Sequence, residues 1–203
     1  MKFVSPTLLD SMQWLKTCPP MWKEAAYESL ENTLSRKPFE MNVYAKRGIN
    51  FEKKIRLYSG HNKLSIYIRD VVETMSYQQS YYEDIIINGN KFRIGGRVDF
   101  IDNNKIIDLK TTAKTKKKTK KIYYSKGHQH KWYSCLFNKK EFKYIIAHLG
   151  DNMENLEPYE VSVFDCSIDY TREEIRNDIV NFLEDLNMIG LLELYYDSYC
   201  KNY

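Results

Sequence analysis

The sequence predicts an α/β (α+β) fold, a single domain whose central mixed β-sheet is flanked by helices. Three observations lead there. At 203 residues the chain has the size of one ordinary domain and can bury a sheet beneath helices. Asparagine-rich turns at Asn88-Gly89-Asn90 and Asn103-Asn104 join three strand-like runs into a meander. Segments with helical spacing of apolar residues precede and follow it. Hydrophobic residues at 43% and aromatics at 14% supply the core. The expected division is a helical N-terminal part over 1–80, a sheet core over 81–165 and a C-terminal helix over 171–203.

Residues 5 to 34 read as helical, with Thr7, Leu8, Ser11, Met12 and Leu15 on one face and a break at Cys18-Pro19-Pro20. A second helix resumes at Met21 and carries Trp22, Ala25, Ala26, Tyr27 and Leu30 as core side chains. After Pro38, the spacing of Tyr44, Gly48, Phe51 and Ile55 suits a helix from about 42 to 57, and Leu64 to Met75 suits another. The meander follows, with strands over 81–87, 91–101 and 105–111. A helix over 125–137 comes next, then strands over 142–149 and 160–165. Thr171-Arg172-Glu173-Glu174 is a capping-box pattern that opens a last helix carrying Ile175, Ile179, Phe182, Leu183 and Leu186.

The chemistry concentrates in Gly95 to Thr112, GGRVDFIDNNKIIDLKTT. A two-residue turn at Asn103-Asn104 sets Ile101 opposite Ile106, Phe100 opposite Ile107 and Asp99 opposite Asp108, with Cβ atoms roughly 5 Å apart. Lys110 falls on the Asp108 face. Opposed carboxylates repel unless something positive sits between them, and a divalent cation is the natural candidate. Oxygen ligands without histidine or cysteine suit magnesium or manganese. The chemistry such a site supports is phosphodiester hydrolysis, with Lys110 steadying charge or orienting water. Asp-x-Lys in a strand is by itself an ordinary solvated pair. Its register with Asp99 raises it above that.

These residues resemble the core of the PD-(D/E)XK nuclease superfamily, with Asp99 as first motif and Asp108-Leu109-Lys110 as second. The resemblance implies a restriction-endonuclease-like core and a Mg2+ or Mn2+ cofactor. It further implies that the Leu109 carbonyl joins Asp99 and Asp108 as a ligand. Gln129-His130-Lys131-Trp132-Tyr133 is similar to the Gln and Tyr helix of the RecB-like branch, and residues four apart share a helix face. Lys46 to Glu52 resembles the upstream helix of lambda-exonuclease-like proteins, which makes Glu52 a further metal ligand. In this reading Asp99, Asp108, Lys110, Glu52 and Gln129 are catalytic, and Tyr133 guides the strand. Ser5-Pro6-Thr7-Leu8-Leu9 and Cys18-Pro19 also resemble the opening of RecB-like and CRISPR-associated RecB-like nucleases, in which that cysteine serves an iron-sulfur cluster. Here Cys135, Cys166 and Cys200 lie about thirty residues apart, so no such cluster is expected and Cys18 reads as a buried thiol.

The net charge of +4 says little, but its placement says more. Lys114, Lys116, Lys117, Lys118, Lys120, Lys121 and Lys126 follow the second motif with no acidic residue among them. A polyanion cut at Asp108 brings neighbouring phosphates within their reach, each contact adding salt-sensitive affinity. The alternative is a solvated lysine loop. His61, His128, His130 and His148 show no metal or triad spacing, and the two beside Gln129 read as surface residues. No apolar run approaches a membrane span, no signal-peptide pattern opens the chain, and unpatterned cysteines favour a reducing compartment. The expectation is therefore a cytoplasmic Mg2+-dependent exonuclease acting on DNA, with double-stranded ends favoured. Phage or mobile-element recombination, repair or replication is its expected setting. A homo-oligomer or a recombination partner protein is compatible with the resemblance, though no sequence feature requires either. A restriction-type endonuclease and a non-catalytic nucleic-acid-binding protein on the same fold remain alternatives.

Overall fold

Six strands build one mixed sheet, seen in a computed structural model that describes residues 2–38, 41–57, 59, 61–113 and 124–201. Strand β1 is Lys2–Val4, β2 Ser76–Ile87, β3 Asn90–Ile101, β4 Lys105–Thr112, β5 Glu141–His148 and β6 Glu160–Asp165. Strand β2 runs antiparallel along the whole of β3, from Ile87 opposite Asn90 to Ser76 opposite Ile101. The other edge of β3 is therefore shared. Parallel β1 takes Phe92 to Ile94, antiparallel β4 takes Phe100 and Ile101, and the stretch between is left open. Beyond β4 the sheet continues with parallel β5 and antiparallel β6.

The helices are α1 (Pro6–Thr17), α2 (Lys23–Leu34), α3 (Val43–Arg56), α4 (Lys63–Val72), α5 (Gln129–Leu136) and α6 (Arg172–Met188). Local chemistry sets their ends. Ser5, Asn42, Asn62 and Thr171 each accept a backbone N–H as N-caps, and Thr171 with Glu174 completes the capping box expected from sequence. Strand β4 alternates as a two-sided strand must. Ile107 and Leu109 pack with Phe51 and Ile55 of α3 and Ile68 of α4, while Ile106 packs with Tyr133 of α5 and Phe142, Tyr144 and Ile146 of β5. A third cluster joins α1, α2 and α6 over the β1 end of the sheet.

Several expectations need correction. Strand β1 was not legible, because three residues carry no usable period; it is held by β3 and by the Tyr195 hydroxyl, which donates to the Phe3 carbonyl. Trp22 and Ala25 are exposed rather than core, since a 3₁₀ turn at Pro20–Trp22 rotates α2 to bury Ala26 and Leu30. Tyr44 also points to solvent. The turn after β3 does not depend on left-handed asparagines. The Asp102 carboxylate accepts the N–H groups of Asn104 and Lys105 and folds the chain back as an Asx-turn. At the other hairpin the left-handed pair is present, Asn88 at φ 48° and Gly89 at φ 73°. Helix α6 ends at Met188, and a single α-helical turn at Leu192–Leu194 and a short π-helical turn at Tyr195–Tyr199 follow.

Candidate active site

The hairpin register is as predicted at Phe100–Ile107 and Ile101–Ile106, and there the ladder stops. One step further, the backbone N–H of Leu109 donates to Asp99 Oδ2 at 2.9 Å. The carboxylate has taken the place of a ladder acceptor, and the two strands part around it. Asp108 is 2% exposed. The Lys110 ammonium lies 2.6 Å from Asp108 Oδ2 as a close ion pair. A carboxylate oxygen carries more lone pairs than this one ammonium takes up, so Asp108 keeps acceptor capacity within the site.

Electrostatics follow from this crowding. Burial and the neighbouring Asp108 charge push the Asp99 carboxyl up to about 7, against the pull of Lys110 and the Leu109 N–H. Burial opposes the Lys110 charge, but Asp108 and Asp99 outweigh it and hold the ammonium above its ordinary value. Two carboxylates share one ammonium, so the site lacks positive charge. An acidic pair only half compensated by Lys110, with a nearby backbone carbonyl, fits a hard divalent cation.

Glu52 reaches the site from α3. Two contacts fix that helix. Arg47 is buried and donates to the carbonyls of Leu149, Gly150 and Asn155. Gly48 lies so close to β4 that a Cβ there would stand 3.2 Å from Thr111 Oγ1. The Glu52 charge is felt by Asp99. Its Oε1, however, accepts from Gln78 Nε2 at 3.0 Å, and burial together with the Glu52 carboxylate pushes the Tyr77 hydroxyl up to about 12. Among the described residues, no three His, Cys, Asp or Glu side chains close into a metal-binding group. Asp99 and Asp108 come together with Lys110, and Glu52 stands beside them, held by its own partners.

Gln129 opens α5 one turn before Tyr133, whose hydroxyl is pushed up to about 12 by burial and the Asp108 charge. Tyr133 lies over Gly96, where a Cβ would stand 2.6 Å from its hydroxyl oxygen. A Cβ at Gly95 would meet the Tyr81 carbonyl at 2.2 Å. Gly95 thus serves close packing of β3 on β2, and Gly96 the approach of α5. A cavity of about 580 Å³ runs from Lys110 and Gln129 past Tyr124 and Lys126 to Trp14 and Asp10 of α1. Trp14 is 45% exposed.

Two histidine expectations change. His130 is buried against Phe142 and Tyr144, and burial lowers its imidazole to about 4. His128 is tied to Asp10, whose Oδ1 accepts its backbone N–H at 2.7 Å and contacts its ring Nδ1 at 2.8 Å. Cys18 is buried, as expected. Lys114, Lys116, Lys117, Lys118, Lys120 and Lys121 lie outside the described residues. Gln78, Tyr77 and Trp14 were missed as site residues; a polar pair in a strand and a lone tryptophan on an amphipathic helix give no signal that separates them from surface. Among the described residues no helix is long and apolar enough to cross a membrane.

The geometry has counterparts in known proteins. A phage-related exonuclease from Haemophilus somnus 129PT superposes with a TM-score of 0.53 at 17% identity, covering 96% of this chain and 94% of that one. LHK-Exo in complex with dAMP superposes with a TM-score of 0.50 at 15% identity, covering 95% and 90%. No match was found among curated proteins. These likenesses establish a shared fold. The sequence itself matches the PD-(D/E)XK nuclease superfamily over residues 11–181. With that match spanning the open β3 edge, the Asp99–Asp108–Lys110 cluster and α5, the chain belongs to the PD-(D/E)XK nuclease superfamily.

Proposed function

We propose that this protein is a Mg2+- or Mn2+-dependent deoxyribonuclease of the lambda-exonuclease-like and RecB-like kind, hydrolysing DNA from an end. The observation that carries the reading is the pair of acidic side chains, Asp99 and Asp108, that share the single ammonium of Lys110 in a buried site. Asp99, Asp108 and the Leu109 carbonyl are the residues that would hold the cation, with Glu52 completing the set. The chemistry such an ion would supply is polarisation of the scissile phosphate and a lower pKa for a water.

The remaining steps belong to this chain's own groups. Lys110 keeps its proton at neutral pH and offers fixed positive charge where negative charge develops on the phosphate. Gln129, at the start of α5 and on the wall shared with Lys110, orients the water or a phosphate oxygen. Tyr133, one turn from Gln129 on α5, keeps the β3 edge in place through its pressure on Gly96. Around the site, the cavity toward Trp14 accommodates the nucleotide beside the scissile bond, with the indole as a stacking surface. The lysine run from Lys114 to Lys121 contributes non-specific contacts to neighbouring phosphates. The exonuclease assignment is supported by the names of two structural neighbours, and the dAMP of one of them is a nucleotide of the kind that digestion from an end releases.

Purified protein incubated with end-labelled linear DNA and covalently closed circular DNA tests this directly. The expected result is loss of the linear DNA with Mg2+ or Mn2+, no loss in EDTA, an intact circle, and no cleavage by Asp108→Ala or Lys110→Ala. Cutting of the circle would replace the exonuclease with an endonuclease. Metal-independent cleavage, or cleavage retained by both variants, would refute the assignment.

A further inference from the structure

The long hairpin of β2 and β3 keeps one register throughout, yet one facing pair is missing from its ladder: Gln78 and Asp99. Gln78 has φ 48°, a left-handed conformation that costs an L-residue roughly 1–2 kcal/mol and that glycine adopts freely. The disturbance crosses to β3. Val98 packs with Tyr133 and Tyr144, whereas Phe100, two residues on, packs with Phe51 and Ile107. In a regular strand those two side chains would share a face.

The kink has a result that a regular strand cannot give. Consecutive strand residues point to opposite faces, but Gln78 hydrogen-bonds Glu52 and the Tyr77 hydroxyl stands close enough to feel the same carboxylate. Both side chains are neutral. Asp84, Glu157 and Asp185 are instead paired with cations, namely Lys91 and Arg93, Lys54, and Lys16, while Asp178, on α6 away from the site, is likewise held by neutral donors, the Trp132 Nε1–H and the Tyr170 hydroxyl. Arg56 follows Glu52 by one helical turn, where a pair would be ordinary, but its guanidinium lies over the Tyr77 ring at 4.5 Å. Glu52 is thus fixed in direction while its negative charge stays available.

We propose that Gln78 is a positioning residue for Glu52, its strained backbone retained because the kink sets Tyr77 and Gln78 against one carboxylate beside Asp99 without neutralising it, ready for a divalent cation. The inference rests on the metal-dependent reading above and extends it to residues outside the superfamily motif. Freezing the Glu52 rotamers before the cation arrives removes an ordering cost from binding. A lysine or arginine in place of Gln78 would hold Glu52 equally well and compete with the ion.

The test is Mn2+ titration calorimetry on the full chain, with melting temperatures in EDTA. Gln78→Gly removes the amide and relieves the strain; Gln78→Met removes the amide and keeps the strain. Both are expected to weaken Mn2+ binding about tenfold or more, the usual range for loss of a partner that orients a ligand. Gln78→Gly is expected to melt no lower than wild type, and Gln78→Met no higher. Weakened binding in both variants, despite opposite demands on the backbone, supports a role through Glu52. Wild-type affinity in either variant overturns it. Wild-type protein that takes up no Mn2+, or uptake undiminished in Asp108→Ala, overturns the metal reading itself.

Discussion

Replacing Asp99 with asparagine is expected to stabilise the metal-free protein at alkaline pH while destroying its metal site. The folded-state value of Asp99, about 7, lies above the ordinary 3.8, so the folded chain holds this proton more tightly than the unfolded one. Stability from this group is complete below about pH 4 and is lost as pH rises through about 7. At 1.36 kcal/mol per pKa unit, the gap sets a ceiling of about 4 kcal/mol above that pH. The variant should recover between about 1 and 4 kcal/mol of it, because Asp99 is only partly buried and Asp108 shares in the relief. Asparagine keeps an acceptor for the Leu109 N–H, which is 2.9 Å from Asp99 Oδ2, and its amide can donate toward Asp108. Urea unfolding in EDTA, followed by tryptophan fluorescence near pH 5 and pH 8.5, measures the difference. Wild type should lose stability between the two pH values by more than Asp99→Asn does, and Mg2+ should restore wild type alone. A variant no more stable than wild type near pH 8.5 would refute the reasoning, because Asp99 would then not be a carboxylate held against its own ionisation.

Other perturbations read other parts of the structure. Gly96→Ala places a methyl 2.6 Å from the Tyr133 hydroxyl and should cost about 1–3 kcal/mol in thermal or urea unfolding as an overpacked site, with slower cleavage because Gln129 moves with Tyr133. Trp14→Ala should leave the melting temperature within a few degrees of wild type, since the indole is 45% exposed. It should raise KM for linear DNA, a stacked base being worth about 1–3 kcal/mol; an unchanged KM would remove Trp14 from the substrate path. Burial opposes the charge of Glu157, but Lys54, Ser65 and the N–H groups of His61 and Asn62 outweigh it and hold the carboxyl down to about 2. Its stabilisation is present above about pH 4.5 and lost as pH falls through about 2. Glu157→Gln should therefore destabilise the protein at neutral pH by about 1–3 kcal/mol and make little difference near pH 2, as paired urea titrations would show.

What could be read from the sequence was whatever local period and turn chemistry carry. The β3–β4 register followed from counting outward from a two-residue loop, and it placed Asp99 beside Asp108 although the turn is made by Asp102 rather than by left-handed asparagines. Glu174 three residues after Thr171 fixed the start of α6 for the same reason, since a capping box is a contact within one turn. Features that depend on distant chain segments were not legible. Strand β1 exists because β3 has a vacant edge, His130 is buried because α5 lies on Phe142 and Tyr144, and Trp22 is exposed because of how a 3₁₀ turn aims α2. The Gln78 kink belongs to this second group: a glycine there would have advertised a left-handed position, and a glutamine conceals it.

The vacant edge of β3 explains why the chemistry sits where it does. A continuous ladder from β3 to β4 would satisfy the Leu109 N–H with a backbone carbonyl and leave no reason for a carboxylate between the strands. Since β1 and β4 occupy opposite ends of one edge, the strands part between them, and Asp99 fills the role of the missing acceptor. That substitution buries a charge beside Asp108, which the apolar layer against α5 cannot solvate. The same opening gives Tyr133 room to rest on Gly96 and brings Gln129 to the wall shared with Lys110. The instability of two adjoining carboxylates and their suitability for a cation are thus one property of the sheet topology. A variant that closed the β3–β4 ladder would be expected to gain stability and lose the site together.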